Sequence, residues 1–217
     1  MPYDALRDFA PITQAVSLPN LLVVHPSLPA KSVKELITLA TARPGEMVFA
    51  SGGTGSTPHL SMELFLLMTG TRMLHVPYKG PVPGIIDLVA GRVSVMNLGI
   101  VPGGPHVRSG RLRGLGVTGA KRAAMMPDLP TIAEAGVPGY EVVQWNGLLA
   151  PAGAPKEVIA RLHKEVTAVL LTRSMNERIA NEGAEVVTSS PEEFAAYIRA
   201  ETVKWAKVVK SAGIQPE

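Results

Sequence analysis

Apolar residues recur along this chain in two patterns: short unbroken runs, and longer stretches with apolar positions three and four apart. The first run, LPNLLVV at 18–24, reads as a buried strand that ends at His25-Pro26. Ser32 and Glu35 then stand at capping-box spacing, and Val33, Leu36, Ile37 and Ala40 follow the i, i+3, i+4, i+7 stripe of a helix. Pro44-Gly45 closes it. The same reading predicts a strand over 47–50 and a helix over 58–69 that faces inward through Leu60, Leu64, Leu67 and Met68. Next come a strand over 73–78, a turn at KGPVPG, a helix over 85–90 and a strand over 93–98. A Gly- and Pro-rich helix at 101–108 leads to a strand at 113–118. Strands alternating with helices at such short intervals predict a parallel sheet covered on both faces, and 27–118 reads as one α/β lobe.

Beyond 118 the pattern changes. Residues 131–135 read as a brief capped helix, and 140–150 as a strand carrying Trp145. Helices are expected at 155–171, 174–182 and 191–212, with a short strand at 184–187. Ser190-Pro191-Glu192-Glu193 combines an N-cap, a proline at the first helical position and a glutamate at the third. Phe194, Tyr197, Ile198, Trp205, Val208 and Val209 fall on one face of the last helix. Residues 1–26 and 119–217 are expected to form the other lobe, a partial first lobe with C-terminal helices and a small sheet, which makes 27–118 the second.

Composition narrows the class. Of 217 residues, 46% are hydrophobic and 18% charged, which excludes a disordered chain. No apolar run approaches the 18 residues of a membrane span. The absence of cysteine removes disulfide scaffolds, thiol catalysis and cysteine-held metals. MPYDALRDFAPI lacks the basic-then-apolar order of a secretory leader, so either the protein is intracellular or an export segment lies outside this chain. The net charge of +3 and the basic stretch Arg108, Arg111, Arg113, Lys121, Arg122 raise nucleic acid as a partner. That stretch has no aromatic for base stacking, so a solvated loop and strand edge is the better account and no nucleic acid is expected.

The stretch richest in candidate chemistry is Ser51-Gly52-Gly53-Thr54-Gly55-Ser56-Thr57-Pro58-His59. Its glycines permit a tight turn, Thr57 is a natural N-cap and Pro58 suits the first helical position. Free amides and the positive end of the helix dipole then converge on an anion site. An ordinary capped turn that binds nothing is an equally good account of the same residues. The lysine of a phosphate-binding Walker loop is missing, and Pro58 stands where a dinucleotide fingerprint needs its third glycine. Tyr78 and Lys79, at the end of the following strand, are expected on the same rim. No nucleophile elbow and no HExxH occurs. His59 and Glu63 share a helix face, which reads as a hydrogen-bonded pair, and no metal or other cofactor is expected.

The runs LPNLLVVHPSLPAKSVKELI, FASGGTGSTPHLSMELF, HVPYKG, LPTIAEAGVPGYEVVQWNGLLAPAGAPKEVI and SPEEFAAYIRAETVKWAKVVKSAGI resemble the Bug-type solute receptors. These are the extracytoplasmic substrate-binding proteins of tripartite tricarboxylate transporters, and the resemblance spans essentially the whole chain. It implies a type II periplasmic-binding-protein fold: two α/β lobes joined by crossing strands, with a small carboxylate in the cleft. Carried over, Ser51, Gly53, Thr54, Gly55, Ser56 and Thr57 would bind the carboxylate. Tyr78 and Lys79 would border the cleft with Gly80, and Trp145-Asn146 would lie near the crossover. It further implies a periplasmic protein, the membrane components of the transporter as partners, and no reaction of its own. Two departures stand out. The first strand of the family fold and its ligand loop would precede Met1, leaving the first lobe incomplete. Many members of the family carry Phe-Asp-Asn where this chain has Asn97-Leu98-Gly99, with Leu98 at the acidic position. Three readings remain open: a carboxylate receptor, an enzyme using the same cleft, and a truncated fragment that pairs with another copy through its incomplete lobe.

Overall fold

The computed structural model describes residues 3–215. Its elements are β1 (Phe9–Val24), α1 (Val33–Ala42), β2 (Val48–Ser51), α2 (Thr57–Thr69), β3 (Leu74–Pro77), α3 (Pro81–Val89) and β4 (Val95–Gly99). They continue with α4 (Ile100–Arg108), β5 (Arg113–Val117), β6 (Val143–Pro151), α5 (Lys156–Leu170), α6 (Arg173–Asn181), β7 (Glu185–Val186) and α7 (Pro191–Ser211).

The chain divides into two compact units. Unit 1 comprises the described residues up to Leu18 together with Gln144–Lys207, and unit 2 comprises Pro19–Val143 and the described residues from Val208. These bounds differ from the expected division at 27 and 118. Asn20–Val24 belongs to unit 2 because it pairs with both β4 and β5. Residues past 118 belong there because Ile132 and Val142 donate their amides to Val117 and Thr118, and Tyr140 is sealed in the core.

In unit 2 the strand order is β3-β2-β4-β1-β5. β2 runs parallel to β3 and β4, whereas β1 is antiparallel to β4 and β5. The expected all-parallel sheet is therefore mixed. A strand buried on both faces shows the same apolar run whichever way it points, so direction could not be read from residues 18–24. The core is built from Leu21, Val23, Ala50, Leu88, Met96, Leu98 and Val117. Ser32 accepts the Glu35 amide at 3.2 Å and Glu35 takes the Lys31 amide, so α1 starts as its sequence predicts. On α2 the buried residues are His59, Ser61, Met62, Leu64, Phe65 and Leu66, and Leu67 and Met68 of the expected face lie outside. That helix is apolar nearly all round, and tertiary packing chose the stripe in which Phe65 meets the edge of Tyr140 at 6.2 Å. Residues 131–135 form a turn, not a helix: Thr131 and Glu134 exchange the two capping-box hydrogen bonds at 3.0 Å each, and no further helical turn follows.

Unit 1 uses the first part of β1, where Val16 and Ser17 pair antiparallel with β7, and β6 also pairs with β1. Ser190 and Glu193 cap α7 reciprocally. Phe194 is fully buried beneath Trp145, whose ring also meets Tyr197 edge-on. Gly147 makes this packing possible, since a Cβ there would sit 2.2 Å from the Phe194 ring.

Candidate functional site

β2 and β3 run parallel with Ser51 beside Pro77, so the loops after them leave the same edge of the sheet. Tyr78 donates its amide to Ser51 and Gly80 donates to Gly52, which ties the loops together. A Cβ on Gly52 would lie 3.4 Å from the backbone of Gly80 and Pro81, so Gly52, counted from the sequence among the glycines of the turn but not among the ligand-binding residues, allows that approach. α2 starts at Ser56, α3 at Gly80 and α4 at Gly99, each directly after a strand of the parallel trio β2, β3 and β4. Three helix N-termini thus stand at one sheet edge, where open α/β sheets bind ligands.

Within the first loop, Gly53 and Gly55 have φ of +136° and +76°, conformations that suit glycine alone. The N-cap is Ser56, one residue before the expected Thr57, so Thr57 and Pro58 open the helix itself. Ser56 makes no side-chain cap bond and gives its hydroxyl proton to the Gly53 carbonyl at 2.6 Å, which bends the chain ahead of the helix. Ser51 is fully buried, accepts the Gly53 amide at 3.1 Å and stands 2.7 Å from His75 Nε2. Its hydroxyl is committed inside the loop. The Gly55 amide is committed as well, to His59 Nδ1 at 3.0 Å. The hydroxyls of Thr54 and Thr57 have no hydrogen-bond partner among the described residues. The Thr57 amide belongs to the first helical turn, which has no carbonyl behind it to pair with. Donors are therefore left over at Thr54 and Thr57.

In the second loop the Tyr78 hydroxyl donates to Asp87 of α3 at 2.7 Å, and Arg92 holds the other carboxylate oxygen at the same distance. Burial, then Asp87, pushes the Tyr78 phenol above its ordinary value, while Tyr78 and Arg92 hold Asp87 below the usual carboxylate range. Tyr78 thus anchors the loop to α3. Lys79 is exposed.

Two residues beneath the loop escaped the sequence reading as a pair. The rings of His59 and His75 stack at 3.8 Å with 11° between their planes, and Phe49 continues the stack 4.8 Å from His75. The i, i+4 spacing of His59 and Glu63 marked one half of the cluster, seen as a 3.4 Å contact. Nothing in sequence distance marked the other. Asn97 is buried and donates to Ser61, whose hydroxyl meets that of Tyr140. Leu98, where the family resemblance led us to expect an acidic residue, is sealed in the core of unit 2 with Leu21. Part of the basic stretch is structural: Arg113 donates to the carbonyls of Leu28 and Ala30, and Arg122 pairs with Glu134. Among the described residues no cluster of three metal-ligating side chains occurs, and no helix is long and apolar enough to cross a membrane.

The model of the tripartite tricarboxylate transporter family receptor matches residues 1–214. The chain belongs to that family. Protein BugT of Bordetella pertussis is 35% identical over 98% of this chain and 65% of its own length. A solved R. palustris protein with adipate is 43% identical, with a TM-score of 0.84 over all of this chain and 73% of that one. MatC from Rhodopseudomonas palustris, solved with bound malate, is 29% identical with a TM-score of 0.78 over 96% of this chain and 72% of its own. The family receptor thus shares the α/β fold seen here. The chain spans 62–65% of the length of the first curated relatives it matches.

Proposed function

We propose that this chain acts as a periplasmic solute receptor that captures a small di- or tricarboxylate for the membrane components of a tripartite tricarboxylate transporter, with no reaction of its own. The observation that carries the reading is the set of uncommitted donors at Thr54 and Thr57, at an edge where three helices begin. A carboxylate needs several donors and no lysine clamp, and helix N-termini favour its charge. Ser51, Gly53, Gly55 and Ser56 shape the loop in this reading, Thr54 and Thr57 donate to the ligand, and Tyr78 and Lys79 border it. The adipate and malate of the two solved relatives support the same ligand class.

Calorimetry with adipate and malate tests the reading. A hydrogen bond to a charged group contributes about 1.5–3 kcal/mol, so Thr54→Val and Thr57→Val should each weaken binding about tenfold or more. Ser56→Ala should also weaken it, through loss of the bond that shapes the loop. Equal affinity in the wild type and all three variants would refute the site.

A further inference from the structure

The candidate loop is held from behind by the His59–His75 stack. His59 is buried, and its Nδ1 accepts the Gly55 amide, so that nitrogen is bare and the ring proton sits on Nε2, facing Glu63. His75 Nε2 meets the Ser51 hydroxyl, which in turn takes the Gly53 amide. Each ring therefore fixes one glycine of the loop, His59 directly and His75 through Ser51. The titratable groups acting on His75 are His59 and Glu63, both from α2, while β2 contributes Phe49 and Ser51 to the stack.

We propose that His59 and His75 are positioning residues of the carboxylate site, holding Gly55 and Ser51 so that the loop keeps its donors at Thr54 and Thr57 free for the ligand, and that protonation of His75 opens the loop. This rests on the carboxylate-binding reading for its ligand, while the loop geometry stands without it. A proton on His75 places a cation in a half-buried stack 3.8 Å from a second imidazole ring. Burial first, and His59 next, push the His75 ring down to about 4. An open loop that admits water restores the ordinary value of about 6.5. Between those limits the closed loop binds fewer protons than the open one, so it loses ground as pH falls from about 6.5 toward 4.

Two measurements on the full chain test this. Without ligand, hydrogen-exchange protection of the Gly55 amide should fall about tenfold or more between pH 7 and pH 5 in the wild type. It should stay level in His75→Gln, which keeps a polar atom toward Ser51 but does not titrate there. The same pH course in both proteins would overturn the role of His75. With adipate as the probe at pH 7, His59→Leu should weaken binding about tenfold or more, while His59→Asn, whose Oδ1 can replace Nδ1 as the acceptor, should stay within about threefold. Equal weakening by Leu and Asn, or none by either, would overturn the role of His59. A wild type that binds no adipate would count against the receptor reading, and the exchange measurement would still decide whether the histidines hold the loop.

Discussion

Helices α2 and α5 carry comparable amounts of apolar sequence and end in opposite conditions. In unit 2, α2 seals Met62 and Phe65 completely and leaves only Leu67 and Met68 well exposed. In unit 1, α5 buries Leu170 alone among its described residues, and Val158, Leu162 and Val169 remain 45%, 39% and 52% exposed. An amphipathic stripe is a demand for a partner surface, and the two units supply it unequally. Unit 2 offers five strands, while the described residues of unit 1 offer part of β1, with β6 and β7. The candidate site lies in the better-covered unit, where a sheet edge holds the loops that carry the donors.

The largest effect that separates the units is a core truncation. Phe65→Ala removes a fully buried ring and should cost about 3–5 kcal/mol, whereas Val169→Ala should cost under about 0.5 kcal/mol. Urea unfolding midpoints check the pair, and similar shifts would mean that α5 is as well supported as α2. A smaller effect tests whether unit 1 has a tight core of its own. Gly147→Ala would drive a Cβ into Phe194 and the Thr13 carbonyl and should cost about 1–3 kcal/mol. Gly153→Ala meets nothing within 4 Å and should leave the melting temperature nearly unchanged. Equal melting curves for the two would show that Phe194 yields freely. The smallest effect on stability concerns the exposed stripe. Val158→Lys with Leu162→Lys should leave the unfolding midpoint almost unaltered and lower the mass seen by light scattering at micromolar concentration, because bare apolar patches favour association. A wild type that already scatters as a 22.9 kDa monomer would refute that association.

Much of the fold was legible because local rules and tertiary packing agree. The capping box at Ser190 and Glu193 places the start of α7, and the stripe Val33, Leu36, Ala40 is the buried face of α1. The rules misled where they had no competitor to weigh. Thr131 and Glu134 make a complete box, yet a turn with Gly136 at φ +127° follows it, because a cap stabilises a start without supplying the residues to continue. Thr57 was the expected cap because Pro58 follows it, but Ser56, the stronger capping type, took the position and its hydroxyl bonded Gly53.

The candidate site divides in the same way. Sequence by itself determined that Ser51–Thr57 forms a glycine turn into a helix and that a polar turn follows Pro77, because glycine, proline and hydroxyl residues constrain their own backbones. It could not determine which hydroxyls remain free. Ser51 and Ser56 read alike with Thr54 and Thr57, and only folding brought His75 to the first and the Gly53 carbonyl to the second. The direction of β1, the buried stripe of α2 and the stacking of His59 on His75 also belong to tertiary structure. Each depends on a contact between residues far apart in the chain, and the energy of such a contact leaves no periodic trace in either partner's local sequence.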